Sequence, residues 1–405
     1  MTTNKLTTAT LASLACCSMQ AMAAESSDQE RIQQLEQQVA VLQAQQNSSD
    51  LLDRFTINGF ASVGFGVATE DLEYLVGYDT DGYGGFEDDK IDFAPDSMVA
   101  LQMSFDINEQ AQAVIQLVGR GTDSWDPEVE WAYVSYTFDN DVMVRGGRLR
   151  LPIFMLSDYL EVGYAYPFAR PSVEVYNNVP SSTYEGFDLR TSFDVGDATL
   201  TVQPFVGQSD VRGNFNTEMT EIIGSAVELS YGNFGFRTSV AQASLESDDD
   251  SLDGNDGKFI GFGGSWDNGD WLFMSEWTRV DVDGIFPDYD SYYVSLAYRY
   301  DVFTPYIMYA NSETQDDDER AYPPELGLRN PLDSERTAYS LGLRWDFAPA
   351  MAVKFDATLL DDFGSTAAGF SDNVSITSIG GNPIPYVDQQ FEDAAIYSVV
   401  FDVIF

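Results

Sequence analysis

The chain has 405 residues, 44% of them apolar, and its 66 acidic and 20 basic side chains give a formal charge of −46. No run of about 18 apolar residues follows the N-terminal segment, which excludes a helical membrane protein. Histidine is absent, which removes Ser-His-Asp chemistry and His-ligated metals.

Residues 1–23 read as a secretory signal. Lys5 supplies the positive charge, Leu6 to Cys17 a weakly apolar core, and Ala21-Met22-Ala23 a small-x-small cleavage site. Cys16 and Cys17 both fall inside it, so the mature chain needs no disulfide. Residues 24–50 are expected to form a periplasmic coiled-coil segment and linker. Ile32, Leu35, Val39 and Leu42 occupy a, d, a, d positions within 28–46. Two heptads are too short to stand alone, so they imply chains already held together by something larger.

After Asp50 the pattern changes to period two. Residues 51–405 are expected to form one all-β domain, a 16-stranded antiparallel transmembrane β-barrel. Strands are expected at 55–67, 97–107, 111–120, 129–138, 142–148, 184–195, 198–208, 220–231, 234–245, 258–267, 270–281, 290–300, 303–312, 335–346, 351–361 and 391–405. Tight turns such as Asn108-Glu109-Gln110, Gly196-Asp197, Gly232-Asn233 and Asn268-Gly269 alternate with long loops at 68–96, 149–183, 313–334 and 362–390. Segregation of short and long connections matches a barrel inserted from the periplasm. The last strand places Tyr397, Val399, Phe401, Val403 and Phe405 on one face, with Ser398 and Asp402 on the other.

The acids are concentrated in loops. Residues 70–96 hold ten acids and only Lys90, while 246–256 and 313–325 hold six acids each. These runs read as solvated outer surface. Asp249-Asp250-Ser251-Leu252-Asp253-Gly254 is similar to the start of an EF-hand loop, but Ile260 stands at the closing position. No metal and no cofactor is expected.

Strand parity sorts the wall. Ile115, Leu117, Phe187, Leu189, Tyr339, Leu341, Val353 and Phe355 face lipid, while Gln116, Arg120, Asp188, Arg190, Ser340, Arg344, Lys354 and Asp356 face inward. A lipid-facing Arg near the midplane would cost about 2–4 kcal/mol, which supports this sorting. Of the twenty bases sixteen are Arg, and they fall largely on the inner wall. Arg237, Arg299, Arg336, Arg344 and Lys354 are expected on the lumen wall. Arg120, Arg145, Arg148, Arg150, Arg170 and Arg190 are expected at a narrowing, facing Asp158 and Glu161. Such a lumen favours anions. The alternative is that these bases pair with lumenal acids such as Asp188, Asp346 and Asp356 and hold the wall in shape.

Residues 147–183 are too apolar for a loop in water. Gly147-Arg148 leads into Pro152-Ile153-Phe154, followed by Asp158 and Glu161. Together with the terminal aromatic strand, this resembles the Gram-negative trimeric 16-stranded outer-membrane porins, in which the loop after the fifth strand folds into the lumen as a constriction. The heptads resemble the DcaP-like subgroup with its N-terminal periplasmic coiled coil. The acidic porin motif Pro-Glu-Phe-Gly-Gly is absent, since Pro152-Ile153-Phe154 lacks the acid. The resemblance implies a bacterial outer-membrane homotrimer contacting lipid and lipopolysaccharide. It implies a water-filled channel for passive diffusion of small hydrophilic solutes and ions. A general pore and one preferring anions or carboxylates, as the lumenal arginines would favour, both stay open. With no histidine and no carboxylate pair of distinctive spacing, no enzymatic activity is expected, and no nucleic-acid partner. A different class, a structural envelope tether or adhesin, is the alternative; the helix is too short to cross the periplasm at about 1.5 Å per residue.

Overall fold

The period-two apolar pattern forms the lipid-facing side of one closed wall. A computed structural model describes residues 53–76, 79–210, 217–247, 253–284, 286–315 and 328–405. The signal segment 1–23, the heptads of 24–50 and positions 249–252 of the EF-hand-like run lie outside the described residues.

In chain order the strands are β1 (Phe55–Ala68), β2 (Tyr74–Val76), β3 (Asp79–Tyr83), β4 (Met98–Asp106), β5 (Ala111–Arg120), β6 (Pro127–Thr137), β7 (Met143–Arg150), β8 (Thr183–Val195), β9 (Ala198–Asp210) and β10 (Thr217–Tyr231). They continue as β11 (Phe234–Ser247), β12 (Asp256–Asp267), β13 (Trp271–Val282), β14 (Tyr289–Tyr298), β15 (Phe303–Thr314), β16 (Glu335–Ala348), β17 (Met351–Asp361), β18 (Val374–Ile379), β19 (Asn382–Val387) and β20 (Ala394–Ile404). Sixteen of them, β1, β4 to β17 and β20, form a closed antiparallel barrel in which each strand pairs with its chain neighbour. All sixteen lie within three residues of their expected bounds. The other four correct the sequence reading, because β2–β3 and β18–β19 are separate two-stranded hairpins inside segments expected to be plain loops. The β18–β19 turn, Gly380-Gly381, has the positive φ angles that such a two-residue turn requires.

Closure leaves no sheet edge. Strand β20 pairs with β1 over nine positions, from Phe60 opposite Ile404 to Ala68 opposite Ile396. The Gly59 N–H donates to the Phe405 carbonyl at 2.7 Å, and the Phe405 N–H donates back at 2.9 Å. A Cβ on Gly59 would stand 2.4 Å from the Phe405 ring, so the last residue and a side-chain-free position fit one another.

The outer face carries exposed apolar side chains, among them Phe187, Val240, Phe262, Ile307, Leu341 and Phe355. Aromatics form a belt at each end. Phe193, Tyr231, Trp271, Tyr300, Phe303 and Trp345 lie near the tight turns, and Phe65, Tyr292, Tyr339 and Tyr397 lie toward the long loops. That is how a membrane-spanning barrel meets both interfaces. No helix among the described residues is long and apolar enough to cross a membrane. The inner face is unusual, because a large buried apolar cluster occupies part of it.

Candidate functional site

The segment between β7 and β8 runs into the barrel rather than over it. Its short helical turns are Ser157–Tyr159, Gly163–Ala165 and Val173–Tyr176. Leu151, Ile153, Phe154, Leu156, Phe168 and Val175 are each at most 6% exposed. Burying each such side chain contributes roughly 1.5–3 kcal/mol, which water could not supply. Phe154 meets Phe259 of β12 edge-on at 5.2 Å, and Tyr166 stacks on Phe168 at 4.8 Å.

Polar wall residues pin this loop at several points. Glu276 of β13 accepts from the Met155 N–H at 2.6 Å and from the Tyr176 hydroxyl at 2.5 Å. Tyr306 of β15 accepts from the Ala169 N–H at 3.0 Å and donates to Asp356 at 2.5 Å. Arg344 donates to the carbonyls of Tyr164 and Tyr166, and Lys354 to that of Gly163 at 2.6 Å. A Cβ at Gly163 would stand 2.4 Å from the Asp402 carboxylate, so the loop can touch the wall there only as glycine.

Every expected site base is held in an ion pair. Arg120 donates to Glu161, to Glu130 at 2.7 Å and to Glu128 at 3.1 Å. Arg150 joins the same group, donating to Glu130 at 2.7 Å and Glu161 at 2.8 Å. Arg145 grips Asp188 with two bonds of 2.9 and 2.5 Å, and Gln203 donates to the same carboxylate. Arg148 pairs with Glu185, and Arg237 with Glu228 and the Pro152 carbonyl. Arg170, on the loop, reaches Asp96 through two bonds of 2.9 and 2.6 Å and Asp356 at 3.3 Å. Burial alone would lower its pKa, but Asp96 and Asp356 raise it above the ordinary arginine value. Arg336 pairs with Glu174 at 3.0 Å, Arg344 with Asp346 at 2.8 Å and Lys354 with Asp402 at 2.9 Å. Arg299 sits apart from the narrowing. It follows β14 and pairs with Asp267 and the Gly269 carbonyl at a tight-turn rim.

Among the described residues, the longest ion pair between loop and wall joins Asp158 to Arg190. They are 3.4 Å apart, with Glu228 at 3.7 Å from the same guanidinium, and both Arg190 and Asp158 are more than a third exposed. Other ion pairs of the loop to the wall, through Glu161 and Glu174, are largely buried. Nearby, Tyr159 has its pKa pushed up to about 12 by burial and then by the Glu276 and Asp158 carboxylates. Here the loop and the wall present opposed charges to each other.

Of the acids that complete these pairs, Glu130, Glu228 and Asp96 were not among the expected site residues, and neither was Glu276, which ties the loop to the wall. Glu130 lies where the β5–β6 register shifts between Gln116 and Leu117, and a bulge of this kind defeats parity counting. Toward the long loops the interior opens into a cavity of about 930 Å³, bordered by both loop and wall and edged by Arg148, Arg170 and Arg336.

No protein-family model matches this chain, and no curated protein matches its sequence. Solved structures do resemble it. An anion-selective porin from Comamonas acidovorans superposes with a TM-score of 0.58 at 15% identity, over 87% of this chain and 99% of that one. OmpF of Salmonella typhi, solved with daunomycin, gives 0.58 at 14% identity over 86% and 97%. The outer membrane channel DcaP of Acinetobacter baumannii gives 0.56 at 11% identity over 87% and 97%. The shared feature at this identity is the fold, so the chain carries the sixteen-stranded porin fold of bacterial outer-membrane barrels.

Proposed function

We propose that this protein is an outer-membrane porin, a water-filled channel for passive diffusion of small hydrophilic solutes and ions. The observation that carries this is the loop drawn across the barrel interior, with its longest ion pair to the wall at the part-exposed Asp158 and Arg190. A barrel that served only as a tether would have no use for a charged loop folded into its interior. The test is single-channel recording of the purified protein in a planar bilayer. Discrete conductance steps are expected, and their absence would favour the tether reading.

Ion preference is the finer part of the proposal. The arginines alone argue for anions, as does the anion-selective neighbour. Their pairing argues for a weaker preference, because Arg120 and Arg150 share Glu130 and Glu161, and Arg170 faces both Asp96 and Asp356. We therefore expect a reversal potential near zero in a KCl gradient, moving toward cation preference when Arg145 and Arg190 are replaced by Ala. A strongly anion-selective reversal potential would overturn this part and restore the simple arginine argument. Assembly as a homotrimer in lipid and lipopolysaccharide belongs to the same reading, and cross-linking of intact outer membranes checks it.

A further inference from the structure

The inner wall of a porin faces water and is ordinarily polar. Here Met219, Ile222, Phe259, Val280, Met308 and Leu360 all point inward, from β10, β12, β13, β15 and β17, and all border the cavity. Each keeps only 3–8% of its surface exposed. The loop covers part of this apolar wall, with Phe154 on Phe259, but does not fill the space above it. The space left, about 930 Å³ and open toward the long loops, falls within the size range of small-molecule sites.

Polar groups border it as well, the charged Asp96, Glu128, Arg148 and Arg170 among them, together with Arg336 and Asn178. Arg336 is 6% exposed and already matched in charge, donating to Glu174 at 3.0 Å and to the Ala368 carbonyl at 2.8 Å. Asn178 projects from the loop and donates to Ser291 at 2.7 Å. The cavity thus offers apolar area and hydrogen-bonding groups with no unmatched cation at Arg336.

We propose that this cavity is a binding site for neutral amphipathic organic solutes, with a ring-sized apolar body seated on the Met219–Met308 wall and a hydrogen-bonding head turned to the channel water. The proposal rests on the channel reading and names the substrate class of that channel. The apolar body leaves water on entry and supplies the affinity, whereas a purely polar solute of similar head gains nothing from this wall.

The test uses the KCl current through the full-length protein in a planar bilayer, with phenyl β-D-glucopyranoside and methyl β-D-glucopyranoside added in turn to the long-loop side. The two share a neutral head and differ in the apolar body. The phenyl glycoside is expected to interrupt the current at a concentration at least tenfold lower than the methyl glycoside. The near-isosteric double variant Val280→Thr/Met308→Gln is expected to remove that difference. Ala243→Trp, which fills the cavity from the wall, is expected to remove it as well, so a folding failure of one variant leaves the other to decide. Equal interruption by both glycosides in a conducting protein overturns the binding site alone and leaves the channel reading intact. Persistence of the difference in a folded variant also overturns it. Absence of any KCl current overturns the channel reading and, with it, this proposal.

Discussion

At the scale of single residues, the inner wall is a set of matched charges. Lys354 has no exposed surface and is held by Asp402 at 2.9 Å, by the Gly163 carbonyl at 2.6 Å and by the Tyr166 ring at 4.7 Å. The other Asp402 oxygen accepts a hydrogen bond from the Ser62 hydroxyl at 2.6 Å, across the strand pair that closes the barrel. Removing one partner of such a pair leaves an uncompensated buried charge, at a cost of about 3–5 kcal/mol. Lys354→Met is therefore expected to lower resistance to thermal unfolding strongly, measured as loss of the heat-modifiable folded band in detergent. Lys354→Met/Asp402→Asn is expected to recover much of that loss. Unchanged unfolding in the single variant would show that water reaches the pair. Parity counting found Lys354 and most inward arginines. It also put Asp188, Asp346 and Asp356 on the same wall, where they pair with Arg145, Arg344 and Arg170. It could not find Asp96, which lies in a loop, or Glu130, which sits at a bulge.

At the scale of elements, the loop between β7 and β8 is positioned by apolar burial and oriented by Glu276. That carboxylate is 2% exposed and ties both limbs of the loop, at Met155 and at Tyr176. Glu276→Ala would leave two buried donors without an acceptor, a cost of about 1–3 kcal/mol each. The barrel is expected to remain folded while open-channel current noise rises, and a quiet channel in that variant would show that packing alone holds the loop.

A second contact joins the loop containing β2 and β3 to the one containing β18 and β19. The Ser371 N–H donates to the Glu73 carbonyl at 2.9 Å, and the Tyr74 and Phe370 rings are 5.3 Å apart. Glu70 and Asp372, in these loops, have raised pKa values, through burial first and then through neighbouring acids such as Asp88 and Asp71. A carboxyl with a raised folded-state pKa opposes folding when ionised, so the contact gains stability as pH falls through the raised pKa toward the unfolded value. Amide exchange around residues 70–73 and 370–373 is expected to slow, after correction for intrinsic rates, as pH is lowered from neutral toward that range. Faster corrected exchange would contradict the sign.

At the scale of the whole molecule, closure is the decisive event. Phe405 exchanges two backbone hydrogen bonds with Gly59, and its ring lies against that glycine. Deleting Phe405 would leave the Gly59 N–H and carbonyl unpaired at the barrel seam. The folded fraction recovered in membranes is expected to fall severalfold. Full recovery would show that the remaining β1–β20 ladder suffices.

The amino-acid sequence by itself determined the class and the strand number, because alternation and turn length are local properties with a fixed period. It also determined which wall positions of regular strands face inward. Tertiary structure decided the rest. Whether an inward arginine is free or matched depends on acids brought to it from other segments, as Glu228 is brought to Arg237 and Asp96 to Arg170. Whether an apolar loop lies inside depends on finding an apolar wall to cover. That wall exists only once the inward side chains of β10 to β17 stand beside one another, a juxtaposition set by barrel closure rather than by any single segment.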